Sequence, residues 1–110
     1  MEARARYEEI VDALTLWYPE VRSSRIFGMR CLKRSGRVIA GFTRGAMVFK
    51  LTNPDDHARA LALPGAHLFD PSGRNEPFRQ WVVVPPEHAD AWDELAYTAF
   101  TQDHSLQPND

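Results

Sequence analysis

A chain of 110 residues with 44% hydrophobic and 25% charged side chains can bury one core without covalent staples, and no run approaches the ~20 apolar residues of a membrane-spanning helix. Its one cysteine, Cys31, excludes an internal disulfide and fits a reducing cytoplasm, and Met1-Glu2-Ala3-Arg4 opens an amphipathic pattern rather than a signal peptide. The net charge of −2 is unevenly spread: Val21 to Pro54 carries eight Lys/Arg and no Asp/Glu, giving +8, and the rest sums to −10, so a polyanion partner is neither excluded nor demanded.

Ala3, Tyr7, Ile10, Val11, Leu14, Trp17 and Tyr18 recur at helical spacing and predict a helix over about Glu2 to Tyr18, stopped by Pro19. A three-strand meander follows from Phe27 to Leu51, divided by the two-residue turns Ser35-Gly36 and Arg44-Gly45. Counting outward from the turns pairs Cys31 with Ala40, Met29 with Phe42, Phe42 with Met47, Ala40 with Phe49 and Val38 with Leu51. Side-chain alternation then predicts an inner face of Phe27, Met29, Cys31, Val38, Ala40, Phe42, Met47, Phe49 and Leu51. Arg30, Leu32, Arg34, Arg37, Ile39, Gly41, Val48 and Lys50 fall on the outer face.

Thr52 or Asn53 caps a second helix, with Pro54 at its first position, Asp55 and Asp56 in its first turn, and an end near Leu63 before Pro64-Gly65. A brief strand over Ala66 to Phe69 leads into the turn-rich Asp70 to Pro77, then a strand over Phe78 to Val84. Pro85 and Pro86 initiate a third helix, Glu87 to about Thr101, with the stripe Ala89, Trp92, Leu95, Ala96, Ala99 and Phe100. These elements predict one domain over residues 1–101 and a flexible tail over 102–110.

The order α-β-β-β-α-β-β-α predicts an α+β, two-layer fold: an antiparallel five-stranded sheet with the first and third helices on one face. Trp81-Val82-Val83-Val84 is apolar at both parities, and the outer face carries Leu32, Ile39 and Val48. The second face is therefore expected to be covered by the second helix or by another subunit, and a homodimer or protein partner through it is the favoured reading.

No constellation discloses a reaction. A catalytic Cys31 needs an exposed, electropositive setting beside a base, and its predicted place is buried packing. His57, His67, His88 and His104 show no metal-ligand spacing, and the acidic pair Asp90 and Glu94 reads as a solvated face. No phosphate loop, dinucleotide fingerprint or nucleophile elbow is present, so neither cofactor nor metal is implied. The basic set Arg30, Arg34, Arg37, Arg44 and Lys50 is the best candidate for nucleic acid, without interleaved aromatics. Arg74, Phe78, Arg79 and Trp81 surround the long turn and could contact a small anion or ring.

Phe27-Gly28-Met29-Arg30-Cys31-Leu32-Lys33, then Gly36-Arg37-Val38-Ile39-Ala40-Gly41-Phe42 and Met47-Val48-Phe49-Lys50-Leu51, resemble the TfoX N-terminal domain family. Phe69, Pro71, Gly73, Arg74 and Trp81-Val82-Val83-Val84-Pro85 extend the likeness over about Ser24 to Phe100. The resemblance implies a small α/β domain similar in architecture to YjbR-like and secretion-chaperone-like folds. It also implies a stand-alone relative of competence-gene regulators, where the family's Phe-Gly-Gly reads Phe27-Gly28-Met29, and it supplies no catalytic residues.

The expected function is thus a non-enzymatic cytoplasmic module that binds protein through Arg30, Leu32, Arg34, Arg37, Ile39, Val48 and Lys50. Direct nucleic-acid binding, and a small-molecule pocket or thiol enzyme near Arg74, Arg79 and Trp81, are the alternatives.

Overall fold

The computed structural model describes residues 2–102, so the predicted tail lies outside the described residues from position 103 onward. The fold is α+β: three α-helices and a single antiparallel sheet in the strand order β1-β2-β3-β4-β6-β5. Six strands stand where the pattern predicts five. The addition is β1 (Val21–Ile26), an edge strand whose Val-Arg-Ser-Ser-Arg-Ile buries only Val21. Nothing in that polar run announces a strand; pairing with β2 (Met29–Arg34) makes it one.

α1 (Ala3–Trp17) buries Tyr7, Ile10 and Leu14, spaced three and four apart on one face. β2, β3 (Arg37–Thr43) and β4 (Ala46–Lys50) form the meander. Turns at Phe27-Gly28, Ser35-Gly36 and Arg44-Gly45 join β1 through β4, each with both central residues at positive φ, 54° and 76°, 50° and 85°, 51° and 81°. That is the geometry whose twist matches right-handed strands.

α2 (Pro54–Leu61) begins as its sequence predicts: the Asn53 side chain accepts from the Asp55 and Asp56 amides at 2.9 and 3.1 Å. β5 (His67–Phe69) and β6 (Phe78–Val84) close the sheet. The last helix starts later than predicted. Pro86–Ala91 is a 3₁₀ segment, and α3 proper runs Trp92–Thr101.

The register of the meander departs from the turn count at one place. Arg34 faces Arg37 and Lys33 faces Val38, but the next pair is Leu32 with Ala40, leaving Ile39 as an extra residue in β3. A bulge of one residue reverses which parity of the neighbouring strand faces which side. Cys31 therefore pairs with Gly41 rather than Ala40, and Arg30 rather than Met29 pairs with Phe42. Beyond the bulge, Phe42 with Met47 and Ala40 with Phe49 form as counted, and β4 ends before a Val38–Leu51 pair.

All three helices lie on one face. Tyr7, Ile10, Leu14, Ala60, Trp92, Ala96, Ala99 and Phe100 meet Leu32, Ile39, Ala40, Met47, Phe49, Leu51, Val82 and Val84 in one cluster. The Trp92 indole donates to the Val84 carbonyl at 3.2 Å. Gln102 ties the end of α3 to the β4–α2 junction, donating to the Lys50 carbonyl at 2.9 Å and accepting from the Thr52 hydroxyl at 3.0 Å. α2 sits on this same face through Ala60, so it does not cover the second one.

Candidate functional site

The face away from the helices has its own smaller cluster: Met29, Ala46, Val48, Phe69 and Val83, with Ile26 and Trp81 packed against it. This explains the double apolar parity of β6. Val82 and Val84 enter the main core while Trp81 and Val83 serve the other side. In a flat sheet β1 and β6, four positions apart, would be about 19 Å from each other. Yet the ring of Phe27, in the β1–β2 turn, lies 5.4 Å from Phe78, 6.3 Å from Trp81 and 6.5 Å from Phe69. The sheet must curl toward this face, and its curvature buries Val48 and Val83 there without a second layer from the described residues.

The curl leaves a hollow of about 530 Å³ between the β1–β2 turn, the β3–β4 turn and the segment 67–73. Met29, Ala46, Phe69 and Val83 give it an apolar floor, all less than one tenth exposed, while Thr43, Arg44 and His67 stand at its rim. Gly41 makes room for the floor: a Cβ there would meet the Met29 methyl at 2.8 Å and the Arg30 carbonyl at 3.1 Å. Phe27 is a large aromatic held at φ 54°, an uncommon conformation for a bulky residue, and is 56% exposed. The turn carries this strain while its ring caps the aromatic group.

Asp70 is a loop builder rather than a reactive acid. It accepts from the Ser72 hydroxyl at 2.7 Å and from the Ser72, Gly73 and Glu76 amides at 3.2 Å each. The Ser72 hydroxyl first, then the amides, hold its carboxyl below the usual range. Cys31 is wholly buried, and desolvation pushes its thiol up against a smaller opposing effect of Lys33. Histidine rings are spent on backbone: His57 Nε2 lies 2.7 Å from the Arg79 carbonyl, and His88 Nε2 2.8 Å from that of Pro64. No group of three metal-ligating residues occurs among the described residues. His104 lies outside them.

The predicted interaction surface does not assemble. Leu32 and Ile39 are fully buried beneath the helices, because the bulge turns both inward. Arg30 shares their side and lies 3.6 Å from Glu8 of α1. Arg34 also points to the helices, donating to the Phe100 carbonyl at 2.6 Å with its guanidinium 4.7 Å from that ring. Arg37, its direct cross-strand partner, shares that side. Of the set, only Val48 and Lys50 face the hollow side, and Val48 is buried.

Of the second set, Trp81 belongs to the aromatic group, stacked 5.6 Å from Phe69, but Arg74 and Arg79 are exposed and do not line the hollow. The hollow's main residues, Phe27, Met29 and Phe69, escape the sequence reading because the turn count assigns the first two to the core. The dipeptide Phe27-Gly28 between two strand-like runs is the hairpin signal that locates them.

This geometry defines a small α+β domain with one helix-covered face and one curled, hollow face. No family model matches the chain, and neither a curated protein nor a solved structure matches it.

Proposed function

We propose that this chain is a non-enzymatic binding module that takes a small, largely apolar organic molecule in the hollow of its curled sheet. The observation that carries this reading is the hollow itself: about 530 Å³ over an apolar floor, within the ~300–1,000 Å³ usual for small-molecule sites. Thr43, Arg44, His67, Asp70 and Ser72 also line it and supply the polar groups that orient a ligand. The resemblance to TfoX N-terminal domains supports the same reading, that of a regulatory domain acting by binding.

The test is a fluorescence titration with anilinonaphthalene sulfonate, an apolar ring system with one anionic group, on protein first shown to unfold cooperatively. Saturable binding is expected, weakened by Ala46→Phe, which fills the floor, and by Phe27→Ala, which opens the cap. The exposed Arg59→Gln, on α2 and away from the hollow, leaves it unchanged. No saturable binding, or binding indifferent to both variants, overturns the reading.

Phe27 and Phe78, 56% and 40% exposed, favour a second reading in which a protein partner or a second copy docks on the aromatic rim. Sedimentation velocity tests the homodimer form. A dimer dissociated by Phe78→Asp supports it, and a monomer at all concentrations defeats it. Nucleic acid along one basic face loses support, since Arg34 and Arg37 flank one end of the sheet and Arg30 and Arg44 the other.

A further inference from the structure

Two arginines of the predicted basic set, Arg30 and Arg44, regroup with two outside it, Arg4 and Arg25. Arg4 of α1, Arg25 of β1, Arg30 of β2 and Arg44 of the β3–β4 turn line one shallow pocket of about 240 Å³, walled on its apolar side by Met29 and Phe42. Arg25 and Arg30 are direct cross-strand partners, a like-charge pairing that costs stability unless something neutralises it. One carboxylate reaches the group: Glu8 Oε1 lies 3.3 Å from Arg4 and 3.6 Å from Arg30. Four cations thus face one anion. The side chains of Arg25 and Arg44 have no hydrogen-bond or ion-pair partner among the described residues. The first turn of α1 adds no acid, and Glu2 at its N-cap makes no side-chain capping hydrogen bond.

We propose that these four arginines form a binding site for a single phosphate group. Several guanidinium forks converging on one small volume suit an anion with three or four acceptor oxygens, whereas one fork already satisfies a carboxylate. The remaining cations favour a discrete group over a phosphate chain. Arg34 and Arg37 lie at the opposite end of the sheet and Lys50 on the other face, leaving no track along which successive phosphates would be read. The phosphate is either a free ion or the end of a phosphorylated small molecule, and the site stands whether or not the neighbouring hollow binds anything.

The experiment is thermal unfolding and calorimetric titration of the full chain at low ionic strength with inorganic phosphate, pyrophosphate and a sugar monophosphate. Sodium chloride at matched ionic strength is the reference. Saturable binding with a rise in Tm beyond the chloride reference is expected. Preference for the sugar ester identifies a phosphorylated small molecule, and equal response identifies the free ion. Arg25→Gln and Arg44→Gln each lie on exposed positions, so the fold survives, and each weakens affinity about tenfold or more through loss of a charge-assisted hydrogen bond. Arg59→Gln, remote on α2, changes neither the affinity nor the rise in Tm. No response beyond chloride, or a response that survives both variants, overturns the site. So does a single-stranded oligonucleotide that binds with a salt slope of several while free phosphate does not.

Discussion

The two faces of this one sheet solve the same problem in different ways. On one, a separate layer of helices supplies the partner surface, and residues such as Trp92, Phe49 and Leu32 are sealed to 0% exposure. On the other, the sheet bends over itself, so Val48 and Val83 are buried without a second layer while Phe27 and Phe78 stay substantially exposed. Curvature cannot close-pack as a facing helix does, because strands move as a unit and their side chains meet only where the bend brings them together. The helix layer seals the sheet beneath it and opens only on its outer side, in a groove of about 530 Å³ between α1 and α3, whereas the bent sheet leaves its hollow against the strands themselves.

The largest test of this contrast sets a charge on each face. Ile39→Asp buries a carboxylate with no partner in the helix-covered core, and the loss is expected to exceed about 4 kcal/mol, most of the stability of a domain this size. Lys50→Asp, on the curled face, is expected to change stability by no more than about 0.5 kcal/mol. Chemical denaturation of both measures the difference. Equal effects would erase the distinction between the faces.

A smaller effect of opposite sign tests how dry the covered face is. Tyr7 is 1% exposed, its ring stacks 5.1 Å from Phe42, and its hydroxyl has no hydrogen-bond partner among the described residues. Burial pushes that hydroxyl well above the usual phenol range, Cys31 adding to the effect and Arg30 opposing it. Tyr7→Phe keeps the ring and removes the stranded group, so it is expected to stabilise by about 1 kcal/mol. A loss of that size would mean the hydroxyl has a partner after all.

The smallest effect concerns Cys31. A disulfide-exchange reagent should label it no faster than the protein unfolds, since the thiol is enclosed and its ionised form desolvated. Because its folded-state pKa is raised, the native protein keeps a proton that the unfolded chain loses. Stability contributed in this way is intact at neutral pH and declines from about pH 8.5 upward, with Tyr7 adding to the decline above about pH 10. Melting curves between pH 7 and 11 measure it, and Cys31→Ala is expected to flatten the first part of that fall.

Much of the architecture was readable because its signals are local. Asn53-Pro54-Asp55-Asp56 starts a helix by satisfying its own first amides, and Arg44-Gly45 sets the β3–β4 register by turn geometry alone. The limits are equally specific. β1 has no apolar alternation of its own, and its strand conformation comes from the partner beside it. The bulge at Ile39 lets two consecutive residues, Ile39 and Ala40, both enter the core. Counting from the Ser35-Gly36 turn cannot foresee that, because the gain comes from helices far along the chain. The candidate site failed to show for the same reason: the count assigned Met29 and Phe27 to the core and Leu32 and Ile39 to a surface.

By itself the sequence determined the fold class, the helix on either side of the sheet-forming segments, the tight glycine turns and the doubly apolar character of Trp81 to Val84, all products of short-range sterics and periodicity. Only the tertiary structure decided which side each strand of the first hairpin presents, that the sheet bends, and that Arg4, Arg25, Arg30 and Arg44 meet. Those outcomes depend on packing between segments distant along the chain, where one bulged residue changes which side chains share a face.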